Sequence, residues 1–172
     1  NAFCKCSGFD KSLHLSENLT EIKFEVFSGC SGLTGKLEIP EKIRVIHNGA
    51  FDGCSGFTGD LVIPDNVSEI SEYSFNKCSG FDGSLILSKN LQKLPSNSFS
   101  GCSNLAGSLN IPISVKSLGK NVFSDCMKLN GTLIIHEFIT SISDGAFSGC
   151  SGFSSLKIMS NLTTISKSTF SD

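Results

Sequence analysis

Arginine occurs once in these 172 residues, at Arg44, and the net charge is −2. Phosphate and nucleic-acid recognition usually recruits several guanidinium groups on a basic surface. Neither nucleic acid nor an anionic membrane therefore has an electrostatic basis as a partner. No apolar run approaches the roughly 18 residues that mark a spanning helix, so direct membrane insertion is not expected. No secretory leader stands at the start. The G-x-S-x-G, H-E-x-x-H and P-loop patterns are all missing. His14, His47 and His136 fall at different points of the periodic pattern described below, so they cannot line one ladder. The expectation is a protein that is not an enzyme, with no catalytic residues, no cofactor and no metal.

What is plentiful is periodic. Cysteine recurs every 24 residues, at Cys6, Cys30, Cys54, Cys78, Cys102, Cys126 and Cys150. Phenylalanine stands three residues earlier each time, from Phe3 through Phe75 to Phe147, and an apolar residue three later, from Phe9 through Phe81 to Phe153. Glycine follows at Gly35, Gly59, Gly83, Gly107 and Gly131. Then come two apolar columns two residues apart, exemplified by Leu37 and Ile39, with Pro40, Pro64 and Pro112 directly behind. Two further columns close the unit, represented by Ile43 and Ile46. A fixed period in the twenties is the mark of stacked coils.

Leu37 and Ile39 share one face of a short strand, and Pro40, lacking an N–H, should end it. Ile43 and Ile46 point inward from a second extended or irregular stretch. Ala50 to Cys54 can make one helical or 3₁₀ turn with Phe51 and Cys54 on one side. About seven apolar groups per unit face inward, which one coil cannot bury and a stack can. The expected fold is a right-handed leucine-rich-repeat solenoid of about seven 24-residue coils, with short parallel strands and irregular or 3₁₀ returns. Coils about 4.8 Å apart make a rod roughly 35 Å long. The last repeat lacks one residue between Phe153 and Leu156. Three residues after Ile39 stands Lys42 rather than Asn or Cys, so the usual side-chain ladder at that turn is expected to be absent. The chain opens and closes mid-repeat without polar caps, and residues 1–172 read as one domain cut from a longer array.

The in-phase series Ile39-Pro40, Ile43, Ile46, Ala50-Phe51 and Gly53-Cys54-Ser55-Gly56 resembles the BspA-like leucine-rich repeat family over essentially the whole chain. The family spacing of Cys, Leu and Ile-x-Ile-Pro is met by the last repeat, and the others carry one extra residue, usually glycine. The resemblance implies a microbial cell-surface or secreted protein that attaches to host matrix or to other cells. Its partner would be an extracellular-matrix or cell-surface protein. An intracellular scaffold and a structural spacer without a ligand are the alternatives.

Stacked cysteines would place their Cβ atoms near the coil spacing, wider than the roughly 3.8 Å of a disulfide, and Cys4-x-Cys6 is the only near pair. A buried thiol ladder acting as small hydrophobes is expected, with Cys4 exposed and reactive. The outward strand column reads His14, Glu38, Val62, Ile86, Asn110, Ile134 and Lys157. Solenoids bind partners on such faces, and exposed apolar stripes mark interaction sites. Val62, Ile86, Asn110 and Ile134 are the candidate contacts. The plainer reading is that β-branched residues suit strands. Phe138, beside the His136-Glu137-Phe138 break in the proline column, is a contact residue or a local repacking. Tyr73, the only tyrosine, is a further candidate. Glu17, Glu41 and Asp65 stack at one turn before Lys89, as a cation site or a solvated acidic edge. Asn18, Asn66, Asn130 and Asn161 head N-x-S/T sequons that glycan could occupy in a eukaryotic secreted protein.

Overall fold

Leucine and isoleucine spaced by two turn to the same side of extended backbone, and stacking converts that pattern into parallel ladders. The computed structural model describes residues 12–171. It is a parallel β-solenoid of about six turns, without a helix. The first repeat and the expected exposure of Cys4 lie mostly or wholly outside the described residues. In chain order the strands are β1 (Glu21–Ile22), β2 (Val45–Ile46), β3 (Leu61–Val62), β4 (Glu69–Ile70), β5 (Leu85–Ile86) and β6 (Lys93–Leu94), then β7 (Gly107–Ser108), β8 (Ser117–Leu118), β9 (Leu129–Ile135), β10 (Ser141–Ile142) and β11 (Phe153–Ile158). Every pairing among them is parallel. One side of each coil carries the β1–β2–β4 and β6–β8–β10 ladders, the other carries β3–β5 and β7–β9–β11. The Ile43/Ile46 stretch is thus a true ladder element in β2. Leu37 to Ile39 is extended without strand pairing, held instead near the Gly35–Phe57 bridge.

Between the two ladders the chain does not make the expected helical or 3₁₀ turn. Within one coil Ala50, Asp52 and Cys54 donate back three residues, to the carbonyls of His47, Gly49 and Phe51. The intervening Gly49, Phe51 and Gly53 donate to Glu72, Ser74 and Asn76 of the next coil, at 2.7–3.1 Å. Alternation between local and inter-coil bonds needs backbone that changes hand. Gly49 and Gly53 supply it at φ of 61° and 72°, a region that L side chains avoid and glycine does not. A helix would point every N–H along its own axis and leave the next coil without a partner.

The core is one cluster running the length of the stack. Phe27, Phe51, Phe75, Phe99, Phe123, Phe147 and Phe170 form a column of rings with centroids 5.3–5.7 Å apart. Near-parallel offset rings at this distance add roughly 0.5–1.5 kcal/mol per pair beyond area burial. The missing residue of the last repeat is absorbed where the sequence places it. Between Phe153 and Ser155 the β9–β11 register shifts by one, after which Leu156 faces Leu133 and Ile158 faces Ile135.

Candidate binding surface

Strand alternation decides which side chains reach solvent. In β3 and β5, Leu61 and Leu85 are buried while Val62 and Ile86 point out, 38% and 50% exposed and directly paired across the ladder. In β9, Leu133 and Ile135 face inward and Ile134 is 44% exposed. Asn110, one repeat before Ile134, is exposed in extended backbone just beyond β7. These four candidates therefore lie in one column along the rod. Three aliphatic groups in that column are thus partly open to water.

Phe138 stands in the turn between β9 and β10. Its ring is 45% exposed and lies beneath the Lys116 ammonium, 4.7 Å from Nζ to the centroid. Its backbone N–H donates to Nδ1 of the buried His136, whose Nε2 lies 3.1 Å from the Pro112 carbonyl. Both contacts are satisfied by the Nε2–H tautomer. His136 thus replaces proline by tying its coil to the previous one, and Phe138 is both locally packed and solvent-facing.

Tyr73 does not join them. It follows β4, on the side of the other ladder, at φ 57°, donating its N–H to the Ser96 carbonyl. Its column reads Glu25, Gly49, Tyr73, Asn97, Asn121 and Gly145, all left-handed. A bulky side chain there costs on the order of 1 kcal/mol relative to glycine. Near that side Phe24 is 58% exposed and packs on His47, at 4.8 Å between centroids, while His47 meets Glu21 at 2.7 Å. Lys23 and then His47 hold the Glu21 carboxyl below its ordinary range.

Sequence reasoning passed over Phe24, Ile113 and Met127, each half exposed or more. A signal existed. Ile113 interrupts a charged column of Glu41, Asp65, Lys89 and Glu137, and Met127 interrupts a serine column from Ser55 to Ser151.

The acidic turn resolves into ordinary polar pairing. Asp65 meets Lys89 at 3.3 Å, and the Lys89 backbone N–H draws its carboxyl below the usual range. Glu41 accepts from the Asn66 amide at 3.1 Å. Among the described residues no group of three His, Cys, Asp or Glu side chains is placed to hold a metal.

The turn also corrects an expectation. A side-chain ladder does exist there. Asn66 and Asn90 each donate to the main-chain carbonyl 25 residues earlier, Glu41 at 2.6 Å and Asp65 at 2.7 Å. Lys42 in this column makes no such rung and reaches the Asn18 amide oxygen instead.

The described cysteines are all free, Cys150 partly exposed and the rest buried. From Cys54 to Cys150 each thiol donates to the carbonyl of the phenylalanine 27 residues before it, at 3.0–3.2 Å. Burial pushes the Cys54, Cys102 and Cys150 thiols up to about 12. Such thiols pack and bond between coils, and they are poor nucleophiles.

The family model for the BspA type Leucine rich repeat region matches in six copies, over residues 1–130 and 83–172. No curated protein matches the chain. Solved structures do. A leucine-rich repeat protein of T. pallidum is 29% identical, with a TM-score of 0.67 over 81% of this chain and 63% of its own. A leucine-rich repeat protein of Bacteroides ovatus is 29% identical, with a TM-score of 0.65 over 73% of this chain and 31% of its own. A leucine rich cell surface protein of Faecalibacterium prausnitzii shares the fold at 20% identity, with a TM-score of 0.66 over 87% of this chain and 48% of its own. The chain thus spans under two thirds of each of these proteins.

Proposed function

We propose that this chain, which belongs to the BspA-type leucine-rich repeat family, is a protein-binding module of a cell-surface or secreted protein and mediates adhesion to host or neighbouring cells. The observation that carries this reading is the column of Val62, Ile86 and Ile134, aliphatic groups held in water by strands whose alternate residues fill the core. A rigid face with uncovered apolar groups gains free energy when a partner removes them from water, at roughly 25 cal/mol per Å². Asn110 lies within the column and offers an amide, and Phe138, exposed in the turn after β9, is a further candidate contact. Tyr73 and Phe24 lie outside this column. The partner is an extracellular-matrix or cell-surface protein. The surface location rests on the family, and no helix of the described residues is long and apolar enough to cross a membrane.

The test is binding of the purified chain to a panel of matrix proteins and to intact cells, beside the variant Val62→Glu/Ile86→Glu/Ile134→Glu. All three positions are exposed, so the variant should fold with stability within about 0.5 kcal/mol per site of the parent. Saturable binding that falls at least tenfold in the variant is the expected result. Equal binding by both proteins removes the sheet face from the mechanism.

A further inference from the structure

The outward strand column is complementary to itself when reversed. Along the rod it reads Glu38, Val62, Ile86, Asn110, Ile134 and Lys157, one residue per coil, and all six are exposed. Val62 is paired with Ile86, and Ile134 with Lys157, across their ladders. Ile86 and Asn110 flank the midpoint. Val62 and Ile134 stand one step further out, both aliphatic. Glu38 and Lys157 stand one step beyond those, with opposite charge. Neither is in an ion pair of the described residues, whose pairs use Glu21 and Asp65.

A two-fold axis along the strand direction, at that midpoint, lays a second copy face to face with its rod antiparallel. Each residue then meets the one equally far beyond the axis. The column two residues earlier obeys the same rule without a like-charge meeting. Lys36 comes opposite Ser155, Asp60 opposite Thr132 and Ser84 opposite Ser108. In the turn column one like-charge meeting occurs, Asp65 against Glu137, and there Lys89 already holds the Asp65 carboxylate at 3.3 Å. Other registers fail. Parallel rods set Glu38 on Glu38 and Lys157 on Lys157. An antiparallel axis moved to Ile86 sets Glu38 on Ile134, and one moved to Asn110 sets Lys157 on Val62.

We infer that the strand face binds a second copy of this chain, antiparallel and face to face, with Glu38 of each copy on Lys157 of the other and Val62 on Ile134. This rests on the sheet-face reading above and names its partner, a cell-surface protein that is the chain itself. Rods held by the same end on two facing cells meet antiparallel, which is the arrangement this face requires. From the Glu38 coil to the Lys157 coil is five spacings, about 24 Å. A strip that long and about five residues wide buries less than the roughly 1,200 Å² of a stable interface. A single pair is therefore weak, with Kd between about 1 µM and 1 mM. The apolar centre supplies most of the affinity and the charged ends fix the register.

Sedimentation equilibrium of the whole chain at low ionic strength, up to about 1 mM, tests it. The parent should show a reversible monomer–dimer equilibrium. Glu38→Lys sets lysine against lysine at both ends of the pair and should weaken it about tenfold, and Lys157→Glu should do the same with carboxylates. Mixed together, these two variants should pair again to within about twofold of the parent, because each end then joins opposite charges. The charge effects should shrink in salt. The Val62→Glu/Ile86→Glu/Ile134→Glu variant should stay monomeric. A monomeric parent, single-charge variants that pair as the parent does, or a mixture that pairs no better than either variant alone overturns the inference. Matrix or cell binding lost in the triple variant, beside a monomeric parent, rejects self-pairing and leaves the sheet-face reading standing with another partner. Pairing that follows the charge rule, without matrix binding, upholds self-pairing and removes matrix from that reading.

Discussion

At the scale of single residues, the repeating cysteine is explained by what its thiol does between coils. Serine would fill the position with a more strongly hydrated hydroxyl, and valine could not donate. The thiol is small, apolar enough for the core, and still gives a weak hydrogen bond to the phenylalanine carbonyl of the preceding coil. Its burial has a pH consequence. Cys102 has an ordinary value of 9.0 and is pushed up to about 12 in the fold, by desolvation above all. The unfolded chain therefore releases these protons first as pH rises. Stability contributed by the neutral thiols is fully present below about pH 9. It declines between there and about pH 12, by up to ~1.4 kcal/mol per pH unit for each fully buried thiol. Urea unfolding at pH 6, 7.5 and 10.5 should show midpoints that hold between the first two and drop at the third, while a thiol reagent at pH 8 labels the buried Cys54, Cys78, Cys102 and Cys126 only after unfolding. Rapid labelling of Cys78 or Cys102 in the native protein would contradict the packed arrangement.

At the scale of elements, the turn behind the strands shows how far pattern reading reaches. Lys42 has no side-chain amide to donate to the carbonyl 25 residues earlier, so the column reads there as one without a ladder. Asn66 and Asn90 make the rungs, and Ser114 occupies the next position with a buried hydroxyl that has no partner. Phe138 ends the run, with His136 taking over the inter-coil bond. Ser114→Asn should place an amide within reach of the Lys89 carbonyl, by the same 25-residue step. It removes an unsatisfied hydroxyl and adds a rung, so thermal and urea unfolding should show a gain of about 1 kcal/mol. A loss of stability would mean that the turn at Ser114 is not isostructural with those at Asn66 and Asn90. The strands themselves were only half legible. The Leu37–Ile39 pair has the right spacing but no strand pairing, whereas the Ile46 stretch, which has no clean alternation, is paired on both sides. Spacing says which residues face inward. Whether backbone amides then meet a neighbour depends on the coil before and the coil after.

At the scale of the whole molecule, stability is a sum of similar interfaces between neighbours. Phe99 is fully buried and stacked on Phe75 and Phe123, at 5.7 and 5.5 Å. Phe99→Ala should cost ~3–5 kcal/mol, as for other buried rings. It should also broaden the unfolding transition, because it weakens the coupling between the two halves of the stack. Phe170 stacks on Phe147 and sits at one end of the described coils. Phe170→Ala should cost less and leave the transition sharp. Two denaturation curves compare them, and equal losses would show that coupling along the rod is not carried by the ring column.

The sequence by itself determined the architecture. A 24-residue period with fixed inward columns leaves stacking as the only way to bury about seven apolar groups per unit, and even the one-residue deletion is readable because every later column moves with it. Val62, Ile86, Asn110 and Ile134 were placed on one face by the same logic, since alternation along a strand is local. The tertiary structure decided what no column states. It set Tyr73 apart from that face, exposed Ile113 and Phe24, and paired Asp65 with Lys89. Those outcomes depend on which side chains meet across coils, a distance of 24 residues in the chain and of one rung in space.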